Sequence, residues 1–210
     1  MEPLIQHTGR AIALRRGDVD TDQIIPAEFC KRLTKSGYED TLFVTWREDP
    51  EFPLNDPRRA GASVLIGAHN FGTGSSREHA VWALRDWGFA VVVASSFGDI
   101  FRRNAFKNGL LAVELPEEVV AELADRADAD PAFEITVDLD SRELRADGLR
   151  HGFEVDRRAR RLLLEGLDDI AVTLGKDGLI ADYERARHSW LPRLAPTDPI
   201  PSGNLRLAAN

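Results

Sequence analysis

The sequence predicts an α/β fold, and three observations carry that prediction. Residues 62–68, 89–94 and 110–115 are short, near-continuous apolar runs, the pattern of strands covered on both faces. Residues 80–87 and 100–107 lie between them with helical periodicity. The connections are short, so the segment reads β-α-β-α-β with parallel strands, which puts the first two strand-to-helix loops at the sheet edge where open α/β sheets bind ligands.

From the N-terminus, Ala11 to Leu14 is a short apolar strand ended by Arg15-Arg16-Gly17. Asp18-Val19-Asp20-Thr21-Asp22 places acids at alternate positions. A calcium loop beginning at Asp18 would need glycine where Gln23 stands and glutamate where Phe29 stands, so this reads as a turn before a buried Ile24-Ile25. Residues 27–37 read as a helical turn and a loop. Residues 38–56, with Trp46, Phe52 and two prolines but no sustained period, read as a long irregular connection of the kind used for lids or binding loops.

The strand at 62–68 leads through Asn70-Phe71-Gly72-Thr73-Gly74-Ser75-Ser76-Arg77-Glu78-His79 into the helix at 80–87, whose apolar face is Ala80, Val81, Ala83, Leu84 and Trp87. Ser75 with Glu78 three residues on reads as a capping box, and Gly88 as the helix stop. Asn108-Gly109 stops the second helix. Pro116 opens a third helix over 117–126, broken at Asp128-Ala129-Asp130-Pro131. Residues 133–138 alternate as a half-exposed strand, with one or two more strands after it and a turn at Asp147-Gly148. Residues 157–164 form a helix whose arginines line a solvated face, and 167–170 and 180–188 are further helical pieces. No repeat or long linker divides the chain. The expectation is one domain over 1–195 and a flexible tail over 196–210.

Composition narrows the function. A net charge of −8 argues against a nucleic-acid partner, because phosphate backbones require a basic face. It also means that an anionic ligand must be captured by local donors. The single cysteine, Cys30, rules out an internal disulfide and any metal or iron–sulfur centre held by cysteines of this chain. No signal-peptide pattern and no membrane-length apolar stretch occur, so the expectation is a cytoplasmic protein away from the membrane.

The loop at 70–79 is the most informative stretch. A glycine-rich turn opening a helix brings backbone N–H groups close to a ligand and favours negative charge. Ser75, Ser76 and Arg77 sit where a small carboxylate or phosphate would lie, although a tight, well-capped turn has the same pattern. The dinucleotide fingerprint fails because Arg77 occupies the third glycine position and no acid falls in 89–94. The P-loop lysine is missing, and Gly74 directly before Ser75 breaks the nucleophile-elbow spacing. His79 reads as a supporting residue. A serine base would require a strongly electropositive pocket. Spacing reaches a small-carboxylate site with serine as a candidate base, and no further.

Gly74-Ser75-Ser76-Arg77-Glu78-His79-Ala80 resembles the signature of the C-terminal swivel domain of the aconitase superfamily. Val19-Asp20-Thr21-Asp22-Gln23-Ile24-Ile25-Pro26, the whole of 70–84, Phe97-Gly98-Asp99-Ile100-Phe101-Arg102-Arg103-Asn104 and Leu164-Glu165-Gly166-Leu167-Asp168-Asp169-Ile170 extend the similarity to the small-subunit family of the isopropylmalate dehydratases. The resemblance implies a three-layer β/β/α swivel fold, with additional strands around the β-α-β-α-β core. It also implies a heterodimer with a large subunit that carries a [4Fe–4S] cluster as Lewis acid, this chain holding no cofactor or metal. The implied reaction interconverts 2- and 3-isopropylmalate through isopropylmaleate, in leucine biosynthesis. In that scheme Ser75 takes the proton as an alkoxide, and Ser76 and Arg77 hold a carboxylate of the small dicarboxylate substrate. Asp22, Gly72, Gly74, Glu78 and His79 support the site. Leu33 and the neutral Thr34 sit in the loop that distinguishes substrates, where an isopropyl group fits better than a third carboxylate. Two alternatives stand beside this: a related hydro-lyase subunit for homocitrate-like or methyl-branched malates, and a non-catalytic anion-binding module.

Overall fold

The computed structural model describes residues 1–188 and 190–192. Its elements are β1 (Gln6–Ala13), α1 (Thr21–Ile24), β2 (Val64–Ile66), α2 (Glu78–Trp87), β3 (Val91–Ala94), α3 (Asp99–Lys107), β4 (Leu111–Glu114), α4 (Glu117–Ala129), β5 (Glu134–Asp138), β6 (Glu143–Ala146), β7 (Leu149–Gly152), α5 (Arg157–Glu165), α6 (Asp169–Leu174) and α7 (Asp177–Ala186). Contacts group Met1–Ala171 into one compact unit, and a second begins at Val172. Within that second unit, Trp190 stacks on His188 at 5.9 Å. The tail expected over 196–210 lies outside the described residues.

One seven-stranded sheet runs β4-β3-β2-β1-β5-β6-β7. Its two halves share β1. Ala11, Ile12 and Ala13 pair in parallel with Val64, Leu65 and Ile66 of β2, while residues 6–10 pair antiparallel with β5, from Gln6 opposite Asp138 to Arg10 opposite Glu134. The parallel half, the antiparallel half and the helices are the β, β and α components implied above. Burial follows the chemistry: every residue of β2 and β3 is buried, whereas β5 alternates. Each fully buried Val, Leu or Ile contributes about 1.5–3 kcal/mol. Helix α4 covers β1, β2 and β3, and α3 packs between α2, β4 and α5.

The structure adds to the expected elements and corrects some of them. β1 starts at Gln6, because its first half is half-exposed and lacks an apolar run. Asp147 (φ 36°) and Gly148 (φ 81°) make the tight turn joining β6 to β7. The connection at 38–56 is packed rather than free. Tyr38, Leu42 and Phe43 are wholly buried and Phe52 is 3% exposed, with Trp46 stacked on Phe43 at 5.3 Å and the Arg16 guanidinium 4.4 Å above the Trp46 ring. Single aromatic anchors hold it, so no period appears in the sequence.

The expected capping box of α2 does not form. Arg77 is the N-cap residue and no side chain caps the helix. Glu78 is engaged elsewhere: its Oε1 accepts from Asn108 Nδ2 at 2.7 Å, while Asn108 Oδ1 accepts from Trp82 Nε1 at 2.9 Å. Asn108 thereby bolts the start of α2 to the end of α3. Asn108→Ala leaves a partly buried indole N–H and carboxylate without this partner, so urea unfolding should show a loss of about 1–3 kcal/mol.

Candidate functional site

The parallel strands β1, β2 and β3 end at one edge, and their loops are tied together by backbone hydrogen bonds. The N–H groups of Gly72 and Thr73 both donate to Val19 O, at 2.7 and 3.2 Å, and Thr21 N–H donates to Thr73 O at 3.0 Å. On the other side Phe71 N–H donates to Ser96 O at 3.0 Å and Gly98 N–H to Phe71 O at 2.9 Å. Loop 70–77 thus lies between its neighbours as an irregular extension of the sheet.

Two glycines make this path possible. Gly72 (φ 75°) and Gly74 (φ 90°) are left-handed. A Cβ on Gly72 would sit 2.2 Å from the Phe101 ring, so both space and conformation demand glycine there. Around Gly74 the closest atom would be Asp20 Cβ at 3.4 Å, so conformation alone sets that choice.

Ser75 is held by its backbone. The buried Thr21 donates from Oγ1 to Ser75 O at 3.0 Å. Ser75 and Ser76 are exposed, and neither hydroxyl is bonded to another described residue. Because Ser75 is not spent as a helix cap, its Oγ is available. The first N–H of α2 to reach a carbonyl outside the helix is that of Ala80, to Arg77 O at 3.2 Å. The N–H groups of residues 75–79 donate to no described partner, leaving a row of orphan donors at the helix N-terminus.

Arg77 grips Asp22. Nη2 donates to Oδ2 at 2.8 Å, Nη1 forms a short bond to Oδ1, and Nη1 also reaches Ile25 O at 3.3 Å. Asp22 raises the Arg77 pKa, so the guanidinium stays charged, with 17% of its side chain exposed against 56% for Asp22. A guanidinium has five N–H donors, and these contacts use three. Nε–H and the second Nη2 hydrogen donate to no described partner.

The loop bearing Leu33 and Thr34 reaches the same helix. Tyr38, at its base, lies 5.6 Å from the His79 ring and 5.8 Å from Trp82, its N–H donates to Asp86 Oδ2 at 3.0 Å, and its hydroxyl donates to Thr34 O at 2.9 Å. Arg32 locks the loop from the side by a bidentate pair with Asp40 at 2.7 and 2.8 Å. Thr34 Oγ1 donates to Ser36 O at 2.8 Å, and Leu33 is completely exposed. Sequence reasoning missed Tyr38, Asn108 and Thr21 as the groups that fix these loops. A tyrosine directly after Gly37 was the available signal. Two cavities, of 630 and 730 Å³, flank Arg102 and include no residue of loop 70–79.

The His79 ring packs against Trp82 at 4.6 Å, tilted by 58°. Burial lowers its pKa, Glu78 opposes that and Arg77 adds to it. Burial also lowers the pKa of His7, whose Nε2 lies 2.8 Å from Ser63 Oγ. Both folded values lie below the unfolded one, so this stability is complete above about pH 6.5 and is lost as pH falls through the folded values. The melting temperature should fall between about pH 7.5 and pH 5.5, and His79→Phe, which keeps an aromatic ring against Trp82 without the charge, should reduce that fall.

The aconitase C-terminal domain model matches residues 1–118, and a second model, LeuD_N, matches 121–157. The chain is 55% identical over 193 residues to the 3-isopropylmalate dehydratase small subunit of Streptomyces griseus, covering 92% of this chain and 98% of that one. It is 54% identical over 195 residues to the protein of the same name from Salinispora tropica, covering 93% and 100%. The crystal structure of 3-isopropylmalate dehydratase (leuD) from Methanocaldococcus jannaschii superimposes with a TM-score of 0.62 at 27% identity, over 85% of this chain and 99% of that one.

Proposed function

The chain belongs to the small-subunit family of 3-isopropylmalate dehydratase, built on the aconitase C-terminal domain, and on that premise we propose that loop 70–79 is one half of a hydro-lyase active site completed by a large subunit. The reaction is the interconversion of 2- and 3-isopropylmalate through isopropylmaleate, a step of leucine biosynthesis. The observation that carries the assignment of the site is the Ser75 hydroxyl, exposed and uncommitted beside five orphan N–H groups and a charged arginine.

Dehydration breaks a C–H bond and the neighbouring C–O bond as the double bond forms. Rehydration returns the hydrogen and hydroxyl to exchanged carbons. We assign the proton to Ser75 Oγ, acting as an alkoxide stabilised by the N–H row. The remaining donors of Arg77 and the Ser76 hydroxyl hold a substrate carboxylate while Asp22 keeps the guanidinium oriented. Gly72 and Gly74 give the loop its path, and Glu78 and His79 fix the helix behind it. Leu33 presents an apolar surface to the isopropyl group, and the neutral Thr34 offers nothing to a third carboxylate.

Iron–sulfur clusters are held by several cysteine thiolates, and this chain has Cys30 alone. Among the described residues no group of three or more His, Cys, Asp or Glu side chains is placed to hold a metal. We therefore assign the [4Fe–4S] cluster, and with it departure of the hydroxyl, to the large subunit. No helix of the described residues is long and apolar enough to cross a membrane, and we place the enzyme in the cytoplasm. We also propose that the swivel domain extends over 1–195.

The isolated chain should be inactive, and activity should appear when the large subunit is added, followed by absorbance of the unsaturated intermediate. Ser75→Ala should lower kcat by about 10²–10⁴ while the subunits still co-elute. Turnover by the isolated chain, or an active Ser75→Ala complex, would reject the assignment. Thr34→Arg should shift kcat/KM toward tricarboxylate analogues in a substrate panel on the same complex.

A further inference from the structure

Behind the Ser75 loop lies a contact among three strand-end loops that the proton-transfer scheme does not use. Asp18 (φ 53°), after β1, and Asn70 (φ 55°), after β2, are both left-handed, a conformation that Asn and Asp tolerate better than other residues with side chains. Asn70 Nδ2 donates to Asp18 Oδ1 at 2.7 Å, Asp18 N–H donates to His69 O at 3.0 Å, and Asn70 N–H donates to Ser96 Oγ, after β3, at 2.7 Å. The His69 imidazole closes the cluster. Its Nε2 lies 3.2 Å from Asp18 Oδ2, and its ring lies so close over Gly17 that a Cβ there would be 2.2 Å from Cε1.

Building on the reading of Ser75 as the base, we propose that Asp18, Asn70 and Ser96 form a latch that sets where the Ser75 hydroxyl sits, with Asn70 as its positioning residue. Asn70 is the last residue before the Phe71–Thr73 backbone bonds that carry the chain to Ser75, so a tilt at Asn70 is passed along that short path. The Asp18 side chain is 67% exposed, so the contact adds little stability, and its effect is on geometry. The Asn70 amide, and then His69, hold the Asp18 carboxyl below the usual carboxylate range. The charged group in contact with the latch is His69; Arg15 and Glu117 line a neighbouring 170 Å³ cavity with His69, and Arg15 is paired with Asp125 and Asp128.

The test uses the complex with the large subunit. Asn70→Asp sets carboxylate against carboxylate. Its kcat at pH 8 should drop about ten- to a hundredfold with KM within about twofold, since small misplacements cost this much. Its kcat relative to wild type should recover as pH falls, because one protonated carboxyl then donates as the amide did. The exchange Asp18→Asn/Asn70→Asp restores a donor–acceptor pair and should return kcat to within about threefold of wild type. Asn70→Gly, which suits the left-handed backbone, covers the case in which Asn70→Asp does not fold. It should be as slow as Asn70→Asp, without recovery at low pH. An exchange variant as slow as Asn70→Asp, or an Asn70→Gly enzyme as fast as wild type, would overturn the latch. A wild-type complex that does not turn over isopropylmalate, or an active Ser75→Ala, would instead overturn the reading of Ser75.

Discussion

A loop that turns twice through left-handed backbone within three residues cannot satisfy its own peptide groups. That constraint governs the functional edge of this protein. Both peptide groups of Phe71, the N–H groups of Gly72 and Thr73, and the carbonyls of Thr73 and Ser75 are met by Val19 and Thr21 on one side and by Ser96 and Gly98 on the other. The neighbouring loops are held in place by the same bonds. Phe101 presses on Gly72, and the buried Thr21 hydroxyl secures Ser75 O, so packing and hydrogen bonding fix the same few atoms. Ser75 is what this scheme leaves over: its carbonyl is anchored while its side chain stays open.

What the sequence made legible was local. Strands β2, β3 and β4 were evident because burial on both faces removes polar residues from the run. Gly72 and Gly74 were evident because a tight strand-to-helix turn draws on left-handed backbone. The failures came from distant partners. Ser75 and Glu78 have the spacing of a capping box, but Asn108, thirty residues away, takes the Glu78 carboxylate. Arg77 had the look of a free anion receptor, and its pairing with Asp22 across 55 positions was invisible to spacing. The connection at 38–56 looked loose because Tyr38, Phe43 and Phe52 anchor it one at a time. The assignment of Leu33 and Thr34 to the site came from the family resemblance alone; the structure shows only that Tyr38 ties their loop to α2.

On the proposed reading of Ser75, electrostatics makes this chain inert by itself. A dicarboxylate approaching a chain of net charge −8 meets a guanidinium already neutralised by Asp22 and a serine bathed in water. Water keeps a serine hydroxyl protonated at neutral pH. Only enclosure against another surface lowers the dielectric enough for the orphan N–H groups and the remaining donors of Arg77 to favour an alkoxide. With Ser75 as the proposed base, the large subunit therefore contributes exclusion of solvent as well as chemistry.

The double duty of β1 has a consequence for how the chain acquires its structure. The earliest of the described strands is the one that joins both halves of the sheet. Its parallel partner β2 follows some fifty residues later, and its antiparallel partner β5 not until residues 134–138. Closure of such distant pairs carries a loop-entropy cost that slows folding. Until β5 is synthesised, residues 6–10 present an unpaired edge open to other nascent chains, so the hazard in making this protein lies in β1 and lasts until residues 134–138 emerge.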